Sequence, residues 1–554
     1  MATITIDGKD IQIGDSERLN VIQAADRAGV AIPFYCWHPG LSVVASCRMC
    51  LVEVGDKKPD GTVAMQPRVV PACQTPAKHG TVVITDSKRA KEAQAATLEY
   101  LLLNHPLDCP VCDQAGECFL QDYSYKFGRS YSRLRDDKLV KPDKDHIGDN
   151  ITLFTDRCVM CTRCVRFTRE ISGTSELQVI NRGDHEEIDT FPGIPCNNKL
   201  AGNVVDICPV GALCSKDFLY KQRVWFLKEA KSVCPNCSTG CSVSVEENKN
   251  IAYRVSPRYN PEAQGHFMCD EGRLGYKYIN SKQRLIGPVA KAQGNGDGRP
   301  TTWTEVLGHV RSALKKAAED DPKSVAAVLS PWMTCEEAFL LAKFLKGLSK
   351  EARLFLGPVP VDGKDDLYPK GRRGEDPPPN LVRFTIRAEK CPNRKGVEAI
   401  LRHYQGSVLG FDSALQQAAA GSIKTLYLVG GYREPWISEE QAEGLKTLPM
   451  LIVQDLLPSP ASALAHFMLP AGSFAEKDGT FVNHAGLAQA IHRAIHSPGE
   501  AWPDGRILME LAERRGLFHP PSLRQELAKE VPYFARMASG ELGEYGVRLA
   551  DEKA

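Results

Sequence analysis

Arg157-Cys158-Val159-Met160-Cys161-Thr162-Arg163-Cys164, answered much later by Cys208-Pro209, is the stretch that decides this chain. Three thiolates at C-x2-C-x2-C spacing fit three irons of a [4Fe–4S] cube, and a later Cys-Pro supplies the fourth ligand. A zinc tetrahedron usually pairs two C-x2-C hooks instead. Cys196 is a rival for the fourth place. Cys208 is preferred because the proline after it turns the chain away from the cluster.

Upstream lie two more groups. Cys36, Cys47, Cys50 and Cys73 are spaced C-x10-C-x2-C-x22-C. A [2Fe–2S] centre needs four thiolates, two per iron, commonly from one loop plus a distant return. The loop Ser46-Cys47-Arg48-Met49-Cys50 is tight enough to aim backbone N–H groups at sulfur. His105, Cys109, Cys112 and Cys118 follow as H-x3-C-x2-C-x5-C. Three close cysteines suit three corners of a second [4Fe–4S] cube. On spacing alone His105 and Asp108 compete for the fourth. A neutral imidazole there makes the centre less negative and raises its potential.

Downstream, Cys234, Cys237, Cys241 and Cys269 read C-x2-C-x3-C-x27-C, a third [4Fe–4S] candidate for which zinc is a more serious competitor. The remaining Cys196, Cys214, Cys335 and Cys391 are scattered and read as packing residues.

Seventeen of the 19 cysteines in this 554-residue chain lie between Cys36 and Cys269. With the strand-like start Met1-Ala-Thr-Ile-Thr-Ile-Asp-Gly, no secretory or Arg-rich leader and no apolar run of bilayer length, a reducing bacterial cytoplasm is expected. Ligation then explains the cysteines better than disulfides do. Lys+Arg is 69 and Asp+Glu is 68, a net charge of +1, so no electrostatic excess points to nucleic acid or anionic lipid. The length suits about three to five domains.

Thr3–Ile6 and Ile11–Ile13 flank an Asp7-Gly8-Lys9 turn, and Leu19–Ala28 has helical spacing, so residues 1–82 read as a β-grasp ferredoxin unit. Residues 83–140 begin with a helix around Ala90–Leu103 and carry the His/Cys3 group. Residues 141–226 form a ferredoxin-like [4Fe–4S] segment, and 227–283 hold the last cysteine group. Residues 284–554 change texture: Ser324–Leu329, Ala352–Leu356, Leu426–Val429 and Met450–Val453 read as buried strands, with a helix at Glu336–Leu348. This is an α/β layer. Pro358–Asn380 is a long loop or excised connection. The fold class is multidomain α+β. Gly430-Gly431 is too short for a nucleotide-binding fingerprint, and no P-loop is present. Four clusters without a substrate pocket signal imply a wire between partner proteins.

This order of groups resembles the N-terminal part of the large iron–sulfur subunit of respiratory complex I (the NADH:quinone oxidoreductase family). Iron-only hydrogenases and some NAD-linked formate dehydrogenases share that front end. The last cysteine group is similar to the cluster domain of molybdopterin oxidoreductases, as are Ala475-Glu476-Lys477-Asp478-Gly479-Thr480-Phe481-Val482-Asn483 and Pro392-Asn393-Arg394-Lys395-Gly396. The resemblance implies His105 as ligand. It also implies one [2Fe–2S] and three [4Fe–4S] clusters, and electrons arriving from a flavin/NADH-binding subunit at Cys36/Cys47/Cys50/Cys73. They would pass to Cys158/Cys161/Cys164/Cys208, then to His105/Cys109/Cys112/Cys118 and on to other peripheral-arm subunits. The fourth cluster would lie off this path. It places the chain peripherally on the cytoplasmic face of the inner membrane, without a span. The tail is shorter than an active molybdopterin enzyme needs, and His484-Ala485-Gly486-Leu487 departs from the family's charged residues. A truncated, vestigial molybdopterin-oxidoreductase-like α/β domain without molybdopterin is therefore expected. A hydrogenase would need further cysteines beyond Cys335 and Cys391. A formate dehydrogenase would need an intact pterin domain. A zinc-rich scaffold is the remote alternative.

Overall fold

The structure is a computed structural model and describes residues 2–291 and 298–549. Met1, residues 292–297 and residues 550–554, which the expected first and last domains include, lie outside the described residues. The chain forms two compact units: Met1–Phe226 with Tyr368–Arg383, and Leu227–Leu367 with Phe384–Ala554.

The first unit begins with β1 (Ala2–Ile6) and β2 (Lys9–Ile13), antiparallel with Ile4 opposite Ile11. The turn holds Asp7 at φ 47° and Gly8 at φ 80°, the left-handed pair that a twisted two-residue hairpin requires. Ile4, Ile6 and Ile13 point inward and are buried. They pack with Val21, Ile22, Ala24 and Ala25 of α1 (Val21–Arg27), which starts on an Asn20/Gln23 capping box. Next come β3 (Leu51–Lys57), β4 (Val63–Met65), β5 (Val70–Pro71) and β6 (Thr81–Ile84). The sheet order is β2-β1-β6-β3-β4, with β5 on β3 and β1 parallel to β6. This is the β-grasp arrangement. It leaves a long loop between α1 and β3 and a short one between β5 and β6, and these carry the first cysteine group.

The helix α2 (Lys88–Leu102) starts on Ser87 and is tied to β3 by Gln94 Nε2 donating to the Leu51 carbonyl. Then α3 (Phe119–Phe127) starts directly after Cys118. The segments β7 (Ile151–Leu153), α4 (Arg163–Phe167), β8 (Leu177–Ile180), β9 (Glu187–Thr190), α5 (Asn203–Asp206) and β10 (Leu213–Ser215) complete the unit. β7 pairs with β10 and β8 with β9, both antiparallel. The Tyr368–Arg383 excursion joins here: Lys370 N–H donates to the Ser172 carbonyl at 2.8 Å. Gly173, at φ 77°, faces it so closely that an added Cβ would stand 2.0 Å from the Lys370 carbonyl oxygen.

The second unit opens with the antiparallel meander β11 (Lys228–Val233), β12 (Ser242–Asn248) and β13 (Ile251–Pro257), then α6 (Asp270–Leu274). Its centre is an eight-stranded sheet in which Arg353–Leu356, Val325–Leu329, Thr425–Val429, Met450–Asp455 and Phe467–Pro470 lie parallel in that spatial order. Both faces are covered. Val325, Ala327 and Leu329 enter one apolar core and Ala326 and Val328 the other, so the strands read as continuous apolar runs. The chain order reverses between Val325–Leu329 and Thr425–Val429, the crevice where such sheets bind ligands. An aromatic cluster stands at these strands' C-terminal ends. Trp332 lies 4.3 Å from Tyr432, which stacks on Trp436 at 4.9 Å, with buried Cys391 in the same cluster.

Candidate metal centres

In the first group Cys36, Cys50 and Cys73 are buried and Cys47 half-buried. Their thiols form one connected set, Cys36 with Cys47 and Cys73, and Cys50 with Cys73. Ala45 at φ 52° and Arg48 at φ 57° curl the loop, and the N–H groups of Ser46 and Cys47 point at Cys36 sulfur. The neighbouring thiols first, and then these amides, hold Cys36 well below the usual thiol range. An amide-lined nest of this kind would favour the thiolate that a metal needs.

The C-x2-C-x2-C loop repeats the device. Met160 at φ 47° and Thr162 at φ 59° take the left-handed conformation, unusual for non-glycine residues. Met160 N–H donates to Cys158 Sγ at 3.4 Å. The N–H groups of Val210, Ala212 and Leu213 face Cys208. Cys158, Cys161, Cys164 and Cys208 line one small cavity whose other walls include Leu153, Val159, Ile188 and Val210. Cys196 does not line it. Burial pushes the Cys158 thiol up to about 12 and Cys161 up to about 11. Bound ferric and ferrous iron would supply the positive charge that turns such thiols into thiolates.

In the His/Cys3 group, Cys112 and Cys118 are buried and Cys109 exposed, and His105, Cys109 and Cys118 share one cleft. Asp108 is engaged elsewhere: it accepts from Arg157 Nε at 3.0 Å and Nη2 at 2.8 Å. Burial, with smaller contributions from Lys138 and Arg157, lowers His105 to about 4, so at neutral pH the imidazole is uncharged, as a ligand must be. The loop after Cys208 reaches this group. The Pro209 carbonyl accepts from Phe119 N–H at 3.0 Å and from Cys118 Sγ at 4.0 Å. At Gly211 a Cβ would stand 2.2 Å from Cys112 Sγ.

The last group lies in the second unit, with all four thiols buried. Gly272 N–H donates to Cys269 Sγ at 3.3 Å, and a Cβ on Gly272 would meet Cys234 Sγ at 2.9 Å. The tail motif that begins at Ala475 supports this loop. Asn483 Nδ2 donates to the Thr239 carbonyl at 2.9 Å, and His484 N–H to the Ser238 carbonyl. Asn393 Oδ1 accepts from Val482 N–H at 2.8 Å, tying the second motif to the first. Lys477 bridges buried Glu337 at 2.9 Å and Asp504 at 3.2 Å.

Among the described residues no three His, Cys, Asp or Glu side chains gather closely enough to hold a single metal ion. A cube places its four thiolates on four separate irons and needs a wider set than a zinc tetrahedron with bonds of about 2.3 Å.

Spacing alone missed the cations around these groups. Arg157 stacks on Phe154 at 3.9 Å while holding Asp108. Lys390 and Arg433 converge on Glu271, two residues after Cys269, at 2.6 and 2.7 Å. Arg163 and Arg166 are buried, at 4% and 3% exposure. Their signal was available, since both stand inside or beside a ligand motif, where a cation balances thiolate charge.

Family matches follow the chain in order. Residues 1–88 match a 2Fe-2S iron-sulfur cluster binding domain, and 94–133 the NADH-ubiquinone oxidoreductase-G iron-sulfur binding region. Residues 148–214 match the ferredoxin-like domain of NADH-quinone oxidoreductase subunit 3. The second unit contains the molybdopterin oxidoreductase Fe4S4 domain at 227–281 and a molybdopterin oxidoreductase match at 400–514. Fold and sites together define an iron–sulfur oxidoreductase subunit with 2Fe-2S and 4Fe-4S domains.

The G subunit of NADH-quinone oxidoreductase from Rickettsia bellii is 35% identical over 97% of this chain and 90% of its own length. The chain belongs to that G-subunit family. The Rickettsia felis protein of the same name is 30% identical over 82% of this chain. The mitochondrial NADH dehydrogenase (ubiquinone) iron-sulfur protein 1 of Solanum tuberosum is 37% identical over 59%. The chain spans 63% of the R. felis protein and 42% of the S. tuberosum protein.

Proposed function

We propose that this chain relays single electrons through iron–sulfur clusters as the large iron–sulfur subunit of an NADH:quinone oxidoreductase, between a flavin/NADH-binding subunit and the remaining peripheral-arm subunits. The ligand sets are Cys36/Cys47/Cys50/Cys73 for one [2Fe–2S] cluster, and for three [4Fe–4S] clusters His105/Cys109/Cys112/Cys118, Cys158/Cys161/Cys164/Cys208 and Cys234/Cys237/Cys241/Cys269. The five-part division at residues 82, 140, 226 and 283 follows these sets. The clusters, when bound, supply the one-electron chemistry. The protein supplies thiolates, amide donors and fixed spacing.

The observation that carries this reading is the four-cysteine cavity at Cys158/Cys161/Cys164/Cys208, whose Cys208–Gly211 loop also touches Cys112 and Cys118. Adjacent ligand loops are what a relay needs. The aromatic cluster of Trp332, Tyr432 and Trp436 beside the sheet crevice is consistent with a tail that binds no pterin. No described helix is long and apolar enough to cross a membrane, and attachment on the cytoplasmic face through partner subunits fits that.

Low-temperature EPR of the reduced chain, with iron, sulfide and molybdenum analysis, tests the proposal. One binuclear and up to three cubane signals are expected. Zinc without acid-labile sulfide, or stoichiometric molybdenum, rejects it. In the assembled complex Cys164→Ser should abolish quinone reduction while NADH still reduces artificial acceptors at the flavin end. Undiminished quinone reduction would count against Cys164 as a ligand.

A further inference from the structure

Two arginines link the first cysteine group to the C-x2-C-x2-C group, within the first unit. A single nitrogen of Arg166, Nη2, donates both to the Cys36 carbonyl and, at 3.3 Å, to the Cys161 carbonyl. Its Nη1 donates to the Ser42 carbonyl. Arg163, one turn earlier, repeats the pattern on the flanking residues. Its Nη2 donates to the Trp37 carbonyl at 2.6 Å, next to Cys36, and its Nη1 to the Ile207 carbonyl at 2.9 Å, next to Cys208. The Arg163 guanidinium also lies beside an edge-to-face aromatic pair, 5.7 Å from the Phe34 ring centroid and 5.8 Å from that of Phe119.

Neither guanidinium is paired with a carboxylate among the described residues. Every partner is a backbone carbonyl or, for Arg166 Nε, the Thr162 hydroxyl. Buried cations without an acidic partner are costly. The sulfurs closest in effect to Arg163 are those of Cys161 and Cys208, which would carry negative charge as cluster thiolates. Four thiolates and their sulfides on each side would complete the compensation.

We infer that Arg166, supported by Arg163, is the positioning residue that sets the contact between the Cys36/Cys47/Cys50/Cys73 centre and the Cys158/Cys161/Cys164/Cys208 centre. The inference rests on the cluster assignment above and deepens it. The route runs from a ligand of one centre through its carbonyl, across one guanidinium nitrogen, to the carbonyl of a ligand of the other. Tunnelling decays more slowly along bonds and hydrogen bonds than across an open gap. The electron lost by the binuclear centre, which is oxidised, is the one gained by the cubane centre, which is reduced. No proton moves and no bond breaks. The fixed positive charge also favours the reduced form of both centres.

The test uses the full chain in its assembled complex. It compares Arg166→Gln and Arg166→Lys with wild type in iron and sulfide content, in the EPR redox titration of both signals, and in the rate of electron equilibration after flash reduction. Arg166→Gln should lower both midpoint potentials and slow equilibration by about tenfold or more, the size seen when an outer partner of a metal site is removed. Arg166→Lys should recover the potentials, because the charge returns, but not the rate, because one ammonium cannot reproduce the three-carbonyl grip. Unchanged potentials and rate in Arg166→Gln, with both clusters present, overturn the inference. If Arg166→Gln loses a cluster, Arg166→Lys decides: equilibration at the wild-type rate overturns it. Wild-type protein lacking either signal would sink the cluster assignment itself, a failure visible before any variant is made.

Discussion

At His105, the proposed ligand, the neighbours favour imidazole over carboxylate. Arg157 occupies the Asp108 carboxylate, and burial keeps His105 neutral, so the residue facing the cysteine cleft is the imidazole. Replacing His105 with Cys keeps a fourth ligand but adds a negative charge, so one cubane potential should fall while the others hold still. A redox titration with all signals at wild-type positions would argue against ligation by His105. A second single-residue effect lies in the sheet of the second unit. Burial pushes Asp455 up from 3.8 to about 6, even though the Gly431 and Leu456 amides and the Trp436 indole donate to it. The folded state then holds a proton that the unfolded chain has released, so this group's contribution to stability falls as pH rises from about 4 to 6. Relative to Asp455→Asn, the wild-type protein should gain about 2 kcal/mol between pH 7 and pH 4. Denaturant melts at the two pH values measure this, and a constant offset rejects it.

At the scale of elements, short loops carry most of the design. The run from Cys208 to Gly211 serves two cysteine groups at once, and only glycine fits against Cys112. Gly211→Ala should therefore damage the centre at Cys109, Cys112 and Cys118 more than the one holding Cys208. Mössbauer or EPR quantitation of each signal checks this, and equal loss of both would refute it. Much of this level was legible in the sequence. Cysteine spacing encodes ligand loops because each loop is one or two turns long and its geometry is local. The hairpin around Asp7-Gly8 and the strands at Val325–Leu329, Arg353–Leu356, Thr425–Val429 and Met450–Asp455 also follow from local pattern. The position of Arg163 and Arg166 in and beside a ligand motif was a signal, but their bridging of two cysteine groups was not legible, because the carbonyl partners at Cys36, Trp37 and Ser42 lie over a hundred positions earlier. The docking of Tyr368–Arg383 was not legible either. A Pro-, Gly- and charge-rich segment has no periodicity to betray a packed face, and its partner at Gly173 is nearly two hundred positions earlier in the chain.

At the scale of the molecule, that excursion gives the first unit a piece that sequence order would assign to the second. Gly173→Ala tests it, since the added methyl group would collide with the Lys370 backbone at a position already at φ 77°. Overpacking of this kind costs about 1–3 kcal/mol. Hydrogen exchange should quicken around Ser172–Ser175 and Lys370–Asp376, while the strand Val325–Leu329 exchanges as before. Quickening across the second unit's sheet would contradict the division.

The same excursion has a consequence for biosynthesis. A ribosome delivers residues in order, and domains generally close as soon as their parts have emerged. The first unit cannot close that way. Its last piece emerges from the exit tunnel only after the final cysteine group and the first two parallel strands of the second unit have emerged. The backbone around Ser172 and Gly173 thus stays uncovered throughout that interval, until the late-arriving segment docks on it.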